Sequence, residues 1–326
     1  MEKAQEVFEA GLQAEEAGDS DRAILLYEQS ALLAPKHPLP LLRLAVLHSN
    51  LSNWKEAIRA ARQVTKRRPQ TDQAYCLIAQ SYRELGRWKM AERFYRRSLA
   101  IKREPWTVVL LADVLARQGQ HVEAEACLRN AVKIDPDYDE AHYNLGYNYR
   151  KNGKFALAEK HLKRAIEIDP KYSLACAELG ALLTGQKNRA KEAVRYLKRA
   201  LDHNPNDGWS IAYMANALWQ LRKLKLAEEQ FRRLLELWPN DAMSYWGYGD
   251  FLAYARSERS TADWYFRKAV ELEPESEITN YHLGKHLFYW DQEEEAKRYL
   301  TKAARLGHAK ARKLLQQFRT TRTDNP

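Results

Sequence analysis

The chain has 326 residues, 53 Lys+Arg against 43 Asp+Glu for a formal net charge of +10, and 45% hydrophobic residues. That balance belongs to a soluble chain with a real core and excludes a disordered one. With 13 Gly and 11 Pro it also excludes a loop-rich β protein of this size. Cys76, Cys127 and Cys176 stand far apart and odd in number, so no disulfide framework is expected, and a reducing, cytoplasmic setting is. The first ten residues are acidic and hold no apolar run of a secretory signal. The richest apolar stretch, 108–116, is short and contains Asp113, so no transmembrane segment is expected.

Length alone would suggest two or three globular domains, but an internal period overrules it. Proline recurs at 35, 69, 136, 170, 205, 239 and 274, spaced by 34 or 35 residues with one gap of 67. Nine repeats follow: 4–37, 38–71, 72–104, 105–138, 139–172, 173–207, 208–241, 242–276 and 277–310. At repeat position 8 stand Gly11, Ala45, Ala79, Ala112, Gly146, Gly180, Ala215, Gly249 and Gly284. At position 20, allowing one inserted residue in the sixth and eighth repeats, stand Ala23, Ala57, Ala91, Ala124, Ala158, Ala193, Ala227, Ala262 and Ala296. Small residues at every copy mark points where two helices approach closely.

Taken in chain order, the first repeat is acidic, with residues 1–20 at −5. The second and third are basic, with residues 53–104 at +9, and Arg103 replaces the third repeat's proline. The fourth holds the richest apolar stretch, 108–116. In the fifth, Leu145 and Tyr149 mark one helix face, Gly153 the reversal, and Ala158, Leu162, Ala165 and Ile166 the face of a second helix that stops at Asp169-Pro170. The sixth and eighth carry the insertions, and the seventh to ninth are rich in aromatics. His308 replaces the last proline. Gly307 suits a helix C-cap, 311–319 is read as a capping helix with Leu314, Leu315 and Phe318, and 320–326 as a frayed tail. Each repeat is thus a helical hairpin that buries its apolar face only by stacking on its neighbours.

The pattern Leu145-Gly146, Tyr149, Gly153, Ala158, Leu162, Ala165, Pro170 resembles the tetratricopeptide repeat, and the resemblance runs over 4–310. The ending around 303–311 is similar to a Sel1-like repeat. The family implies an all-α, right-handed α-solenoid, here one domain over 1–319. It also implies first helices lining a concave side. Asn144 stands where several peptide-binding relatives hold a ligand backbone. The carboxylate clamp of chaperone-binding relatives is missing around it, since Val109, Asp113, Leu174 and Glu178 occupy its positions.

Position-specific leftovers point to function. A second stripe on the first helices carries Tyr143, Asn144 and Tyr147, then Trp209, Tyr213, Asn216 and Trp219, then Trp246 and Tyr281. So many rings fit a groove for a partner peptide or helix, against the plainer reading that some only pack between repeats. Stacked sugars on Trp209, Trp219 and Trp246 are a weaker alternative. The basic patch, Arg59, Arg62, Lys66, Arg93, Arg96 and Arg97, suggests RNA or an anionic surface as the lesser alternative. Much of the wider basic ridge is explained by i,i+4 pairs such as Glu92–Arg96 and Asp263–Arg267. No catalytic motif, cofactor loop or strong metal spacing is present; His282 and His286, one turn apart, read as two surface histidines. The expectation is a non-catalytic interaction scaffold without cofactor or metal.

Overall fold

The computed structural model describes residues 2–320. Among them are nineteen α-helices, one π-helical turn and no strand. Contacts divide the chain into two bodies, Met1–Asp169 and Pro170–Pro326. The first holds five hairpins: α1 (Glu2–Glu16) with α2 (Ser20–Leu33), α3 (Leu39–Asn50) with α4 (Trp54–Arg67), α5 (Asp72–Glu84) with α6 (Trp88–Ile101), α7 (Pro105–Arg117) with α8 (His121–Ile134), and α9 (Asp139–Lys151) with α10 (Phe155–Ile168). The second holds four more: α11 (Ser173–Thr184) with α12 (Ala190–His203), α13 (Gly208–Gln220) with α14 (Leu224–Leu237), α15 (Ala242–Phe251) with α16 (Arg259–Leu272), and α17 (Glu277–Phe288) with α18 (Glu293–Arg305). A last helix, α19 (Ala309–Thr320), follows. Within each body every helix packs on its sequence neighbour, and several first helices also touch the next first helix, as α7 does α9 and α11 does α13. This is an all-α solenoid.

The small-residue pattern has a direct cause. All nine position-20 alanines are completely buried. A Cβ added at Gly146 would lie 2.7 Å from Leu162 Cγ, and one at Gly180 only 2.5 Å from Leu197 Cγ. Both leucines are on the second helix of the same hairpin and fully buried, so each glycine is the hole into which the paired helix's leucine fits.

Every hairpin turn passes through one left-handed residue. Glycine fills that place in four turns, including Gly153 (φ +72°), but Ser52, Asn188, Arg222, Ser257 and Asp291 fill it in the other five, with φ between +58° and +64°. The two insertions are absorbed just before it, by different means. In the sixth repeat the residue lengthens the loop from Gly185 to Arg189. In the eighth it widens the helix end into a π-helix, Leu252–Arg256, closed by left-handed Ser257.

Ion pairs tie the second helices together. Five i,i+4 pairs form along the ridge, the two named above among them: Arg96–Glu92 (3.0 Å), Arg129–Glu125 (3.9 Å), Lys163–Glu159 (2.7 Å), Arg232–Glu228 (2.8 Å) and Arg267–Asp263 (2.7 Å). Several members also reach the next repeat, as in Arg96–Glu123 (2.5 Å), Lys154–Glu125 (2.7 Å), Arg256–Glu228 (2.5 Å) and Arg267–Glu295 (2.7 Å). The ridge is therefore largely a structural ladder.

Cys76 and Cys176 are buried thiols, and burial pushes Cys76 up to about 12, which makes it an inert packing group. The C-terminal helix lays Phe318 edge-on against Phe288 at 4.8 Å. Thr320 still belongs to that helix, so fraying does not begin there; the tail reading for 321–326 lies outside the described residues.

Candidate partner-binding site

The anticipated stripe residues fall into separate clusters, and the two bodies carry them independently. In the first body, α9 presents Tyr143 and Tyr147 with centroids 6.5 Å apart. Tyr147 is 37% exposed, with Arg150 and Lys151 over its ring at 5.7 and 5.4 Å. Asn144 donates its side-chain amide to the Glu140 carbonyl at 2.8 Å. Asn144 and Tyr147 share a cleft of about 550 Å³ with Asp113, Arg117, Asn148 and Asn152, between α7 and α9.

In the second body Trp209 and Tyr213 meet edge to face at 4.8 Å, and Trp209 is 39% exposed. Asn216 and Trp219 line a larger cleft of about 790 Å³. Asn216 donates to the Ala212 carbonyl at 2.9 Å, and Trp219 sets its edge against buried Phe251 at 5.8 Å. The remaining two rings are engaged between neighbouring elements. Trp246 stacks on His282 at 4.2 Å and Tyr281 on His308 at 3.9 Å. The Trp246 contact runs between repeats, as the plainer reading has it, while Tyr281 and His308 stack within the ninth repeat; both rings keep part of their surface open.

The histidine pair departs from expectation. His282 points Nδ1 at Asp250 (2.8 Å), which also faces Lys285 at 3.6 Å. His286 is not on the surface. It is 1% exposed, lodged between Phe266 (4.6 Å) and Trp290 (4.1 Å), and burial holds it down to about 4. Helical spacing of one turn puts both rings on one face, but the stacked neighbour repeat turns them to different partners.

The basic patch is half committed to internal contacts. Arg62 donates to the Tyr82 hydroxyl at 2.7 Å, Arg96 joins Glu92 and Glu123, and Arg97 lies over the Tyr75 ring at 5.0 Å. Arg59, Lys66 and Arg93 are exposed.

Three cleft residues escaped the sequence reading: Lys187, Lys191 and Arg222. Lys187 and Arg222 belong to turns and Lys191 to the first turn of α12, whereas Tyr254, in the π-helix, ends the first-helix stripe of its repeat. The available signal was the pair of insertions, since Lys187 and Tyr254 sit at them.

Comparison with known proteins agrees with this architecture. Models described as tetratricopeptide repeat match residues 41–104, 106–171 and 186–246. The human protein O-mannosyl-transferase TMTC1 is 26% identical over 212 residues, covering 64% of this chain and 24% of that protein. The Drosophila melanogaster protein O-mannosyl-transferase Tmtc2 is 29% identical over 262 residues, covering 65% of this chain and 28% of its own length. The chain thus spans about a quarter of the curated relatives it matches. Among solved structures, the APC/C hetero-tetramer Cut9-Hcn1 matches 82% of this chain and 52% of its own, with TM-score 0.63 and 16% identity, which speaks for the fold alone. Repeat spacing, buried alanines and matching family models lead to one conclusion: the chain belongs to the tetratricopeptide-repeat family.

Proposed function

We propose that this chain is a non-catalytic, cytoplasmic scaffold that holds a peptide or helix of a partner protein against the first-helix faces. The observation that carries this reading is the run of part-exposed rings in the second body, Trp209, Tyr213 and Trp219, flanked by Asn216. Rigid aromatics with one open face supply contact area at small entropic cost. The Tyr143, Asn144 and Tyr147 cluster of the first body offers a second contact of the same chemistry, and the Sel1-like ending serves as cap. The transferase names of the curated relatives attach to proteins about four times longer than the matched region, so they lend no support to turnover by this chain. An RNA or anionic-surface contact through residues 53–104 draws on Arg59, Lys66 and Arg93, with the other half of that patch already engaged.

The test is affinity capture with the full chain and with a Tyr213→Ala, Trp219→Ala variant. Loss of the captured protein with a melting temperature held within a few degrees supports the groove. Unchanged capture, or collapse of the fold, counts against it.

A further inference from the structure

The repeat is lengthened in two places, and both insertions open onto one cleft. The sixth-repeat insertion supplies Lys187 and Asn188, and the eighth-repeat π-helix supplies Tyr254. Between them, the turn after α13 contributes Arg222, a long cationic residue in a left-handed conformation (φ +58°) that favours glycine. Asn188 is also left-handed, at +64°. Left-handed residues occur in every hairpin turn, but the lengthened loop and the π-helix are particular to this cavity, and π-helical turns frequently mark functional sites.

The chemistry of the lining is one-sided. Lys187, Lys191 and Arg222 are all exposed, and none of the described residues lining the cleft is acidic. Trp219 and Tyr254 provide the two aromatic faces. Tyr254 is 44% exposed with the Lys285 ammonium 4.5 Å from its ring centre, so it is held in place from one side. Gln220 donates to the Thr184 carbonyl at 2.9 Å and fixes the floor between α11 and α13. None of these residues stands at the carboxylate-clamp positions around Asn144.

We infer that this cleft is an anionic-aromatic subsite: it takes an acidic segment of a partner polypeptide, carboxylates between Lys187, Lys191 and Arg222, and an aromatic side chain between Trp219 and Tyr254. The inference rests on the groove reading above and adds the charge of the guest. Three cations in a recess of about 790 Å³ are complementary to clustered carboxylates, and their lengths let them close on side chains of variable spacing.

The experiment uses the full chain and fluorescence anisotropy with a labelled pentapeptide bearing tyrosine between two glutamate pairs, beside its glutamine counterpart. The expected result is saturable binding of the glutamate peptide, about tenfold tighter than the glutamine peptide. A Lys187→Gln, Lys191→Gln, Arg222→Gly variant should lose that advantage without losing stability, because glycine relieves the left-handed turn. An Arg59→Gln, Lys66→Gln, Arg93→Gln variant removes the same three charges elsewhere and should bind as the parent does. Equal affinity for the two peptides, an unchanged triple variant or an equal loss in the control variant overturns the acidic assignment. If both peptides bind equally and Trp219→Ala weakens both, the groove stands and only its charge preference falls.

Discussion

Replacing Gly180 by alanine adds a single methyl group, and two known effects oppose each other. In a free helix the change stabilises by about 1 kcal/mol. Here the new Cβ would sit 2.5 Å from Leu197 Cγ and 2.7 Å from its Cδ2. Leu197 is fully buried and its branch point cannot swing into solvent, so α11 and α12 must separate. Overpacking of this kind costs about 1–3 kcal/mol, and a clash at the branch point belongs near the upper end, for a net loss of roughly 1–2 kcal/mol. Gly247 makes the contrasting case, because its added Cβ would meet only Phe231 Cε1, at an ordinary 3.5 Å. Gly247→Ala should therefore stabilise by about 1 kcal/mol. Thermal unfolding followed by circular dichroism separates the two, since each kcal/mol moves the midpoint by about 2–4 °C in a body of this size. A double-mutant cycle adds specificity: Leu197→Ala should cost less in the Gly180→Ala background, because the cavity accepts the methyl. If Gly180→Ala raised the midpoint as Gly247→Ala does, the interlocking of small residue and leucine would be refuted as the reason for the pattern.

Three further outcomes are expected. Ser52→Gly removes a left-handed non-glycine from an exposed turn and should stabilise by about 0.5–1 kcal/mol in a urea titration. His161 and His286 are held down to about 4 by burial, His161 also by neighbouring His142. The unfolded chain, near 6.5, then binds more protons between those limits, so stability is fully present above about pH 6.5 and falls on the way to pH 4, by up to about 3 kcal/mol per histidine. His286→Phe should flatten that slope in chemical denaturation run at both ends of the range. Glu228→Gln cuts the links to Arg232 and Arg256 and should cost no more than about 1 kcal/mol, shrinking further in high salt, as melts at two ionic strengths would report.

The helical hairpins, their boundaries as at Asp169-Pro170 and the buried alanine column were legible because each rests on local chemistry repeated in seven to nine of the repeats. Gly153 announced its turn. Ser52, Arg222 and Asp291 did not, since a side chain hides a left-handed backbone that only the neighbouring repeats enforce. The insertions were visible as counts, but nothing in the residues distinguished a longer loop at Lys187 from a π-helix at Leu252. The stripe was legible as a set. The engagement of Trp246 by His282 and of Tyr281 by His308 was not, because one partner lies in the next repeat and the other at the far end of the same one. For the same reason the i,i+4 pair Arg96–Glu92 could be read in advance and the reach of Arg96 to Glu123 could not.

That reach bears on how the molecule comes apart. Arg96–Glu123 and Lys154–Glu125 in one body fasten the fourth hairpin to the third and fifth, and Arg256–Glu228 and Arg267–Glu295 in the other fasten the eighth to the seventh and ninth. The fourth and eighth hairpins are thus clasped from both sides, so within each body melting should reach them last, like a seam unpicked stitch by stitch. Because those stitches are exposed charges, added electrolyte should let the seam open sooner without altering the buried leucines that define each hairpin.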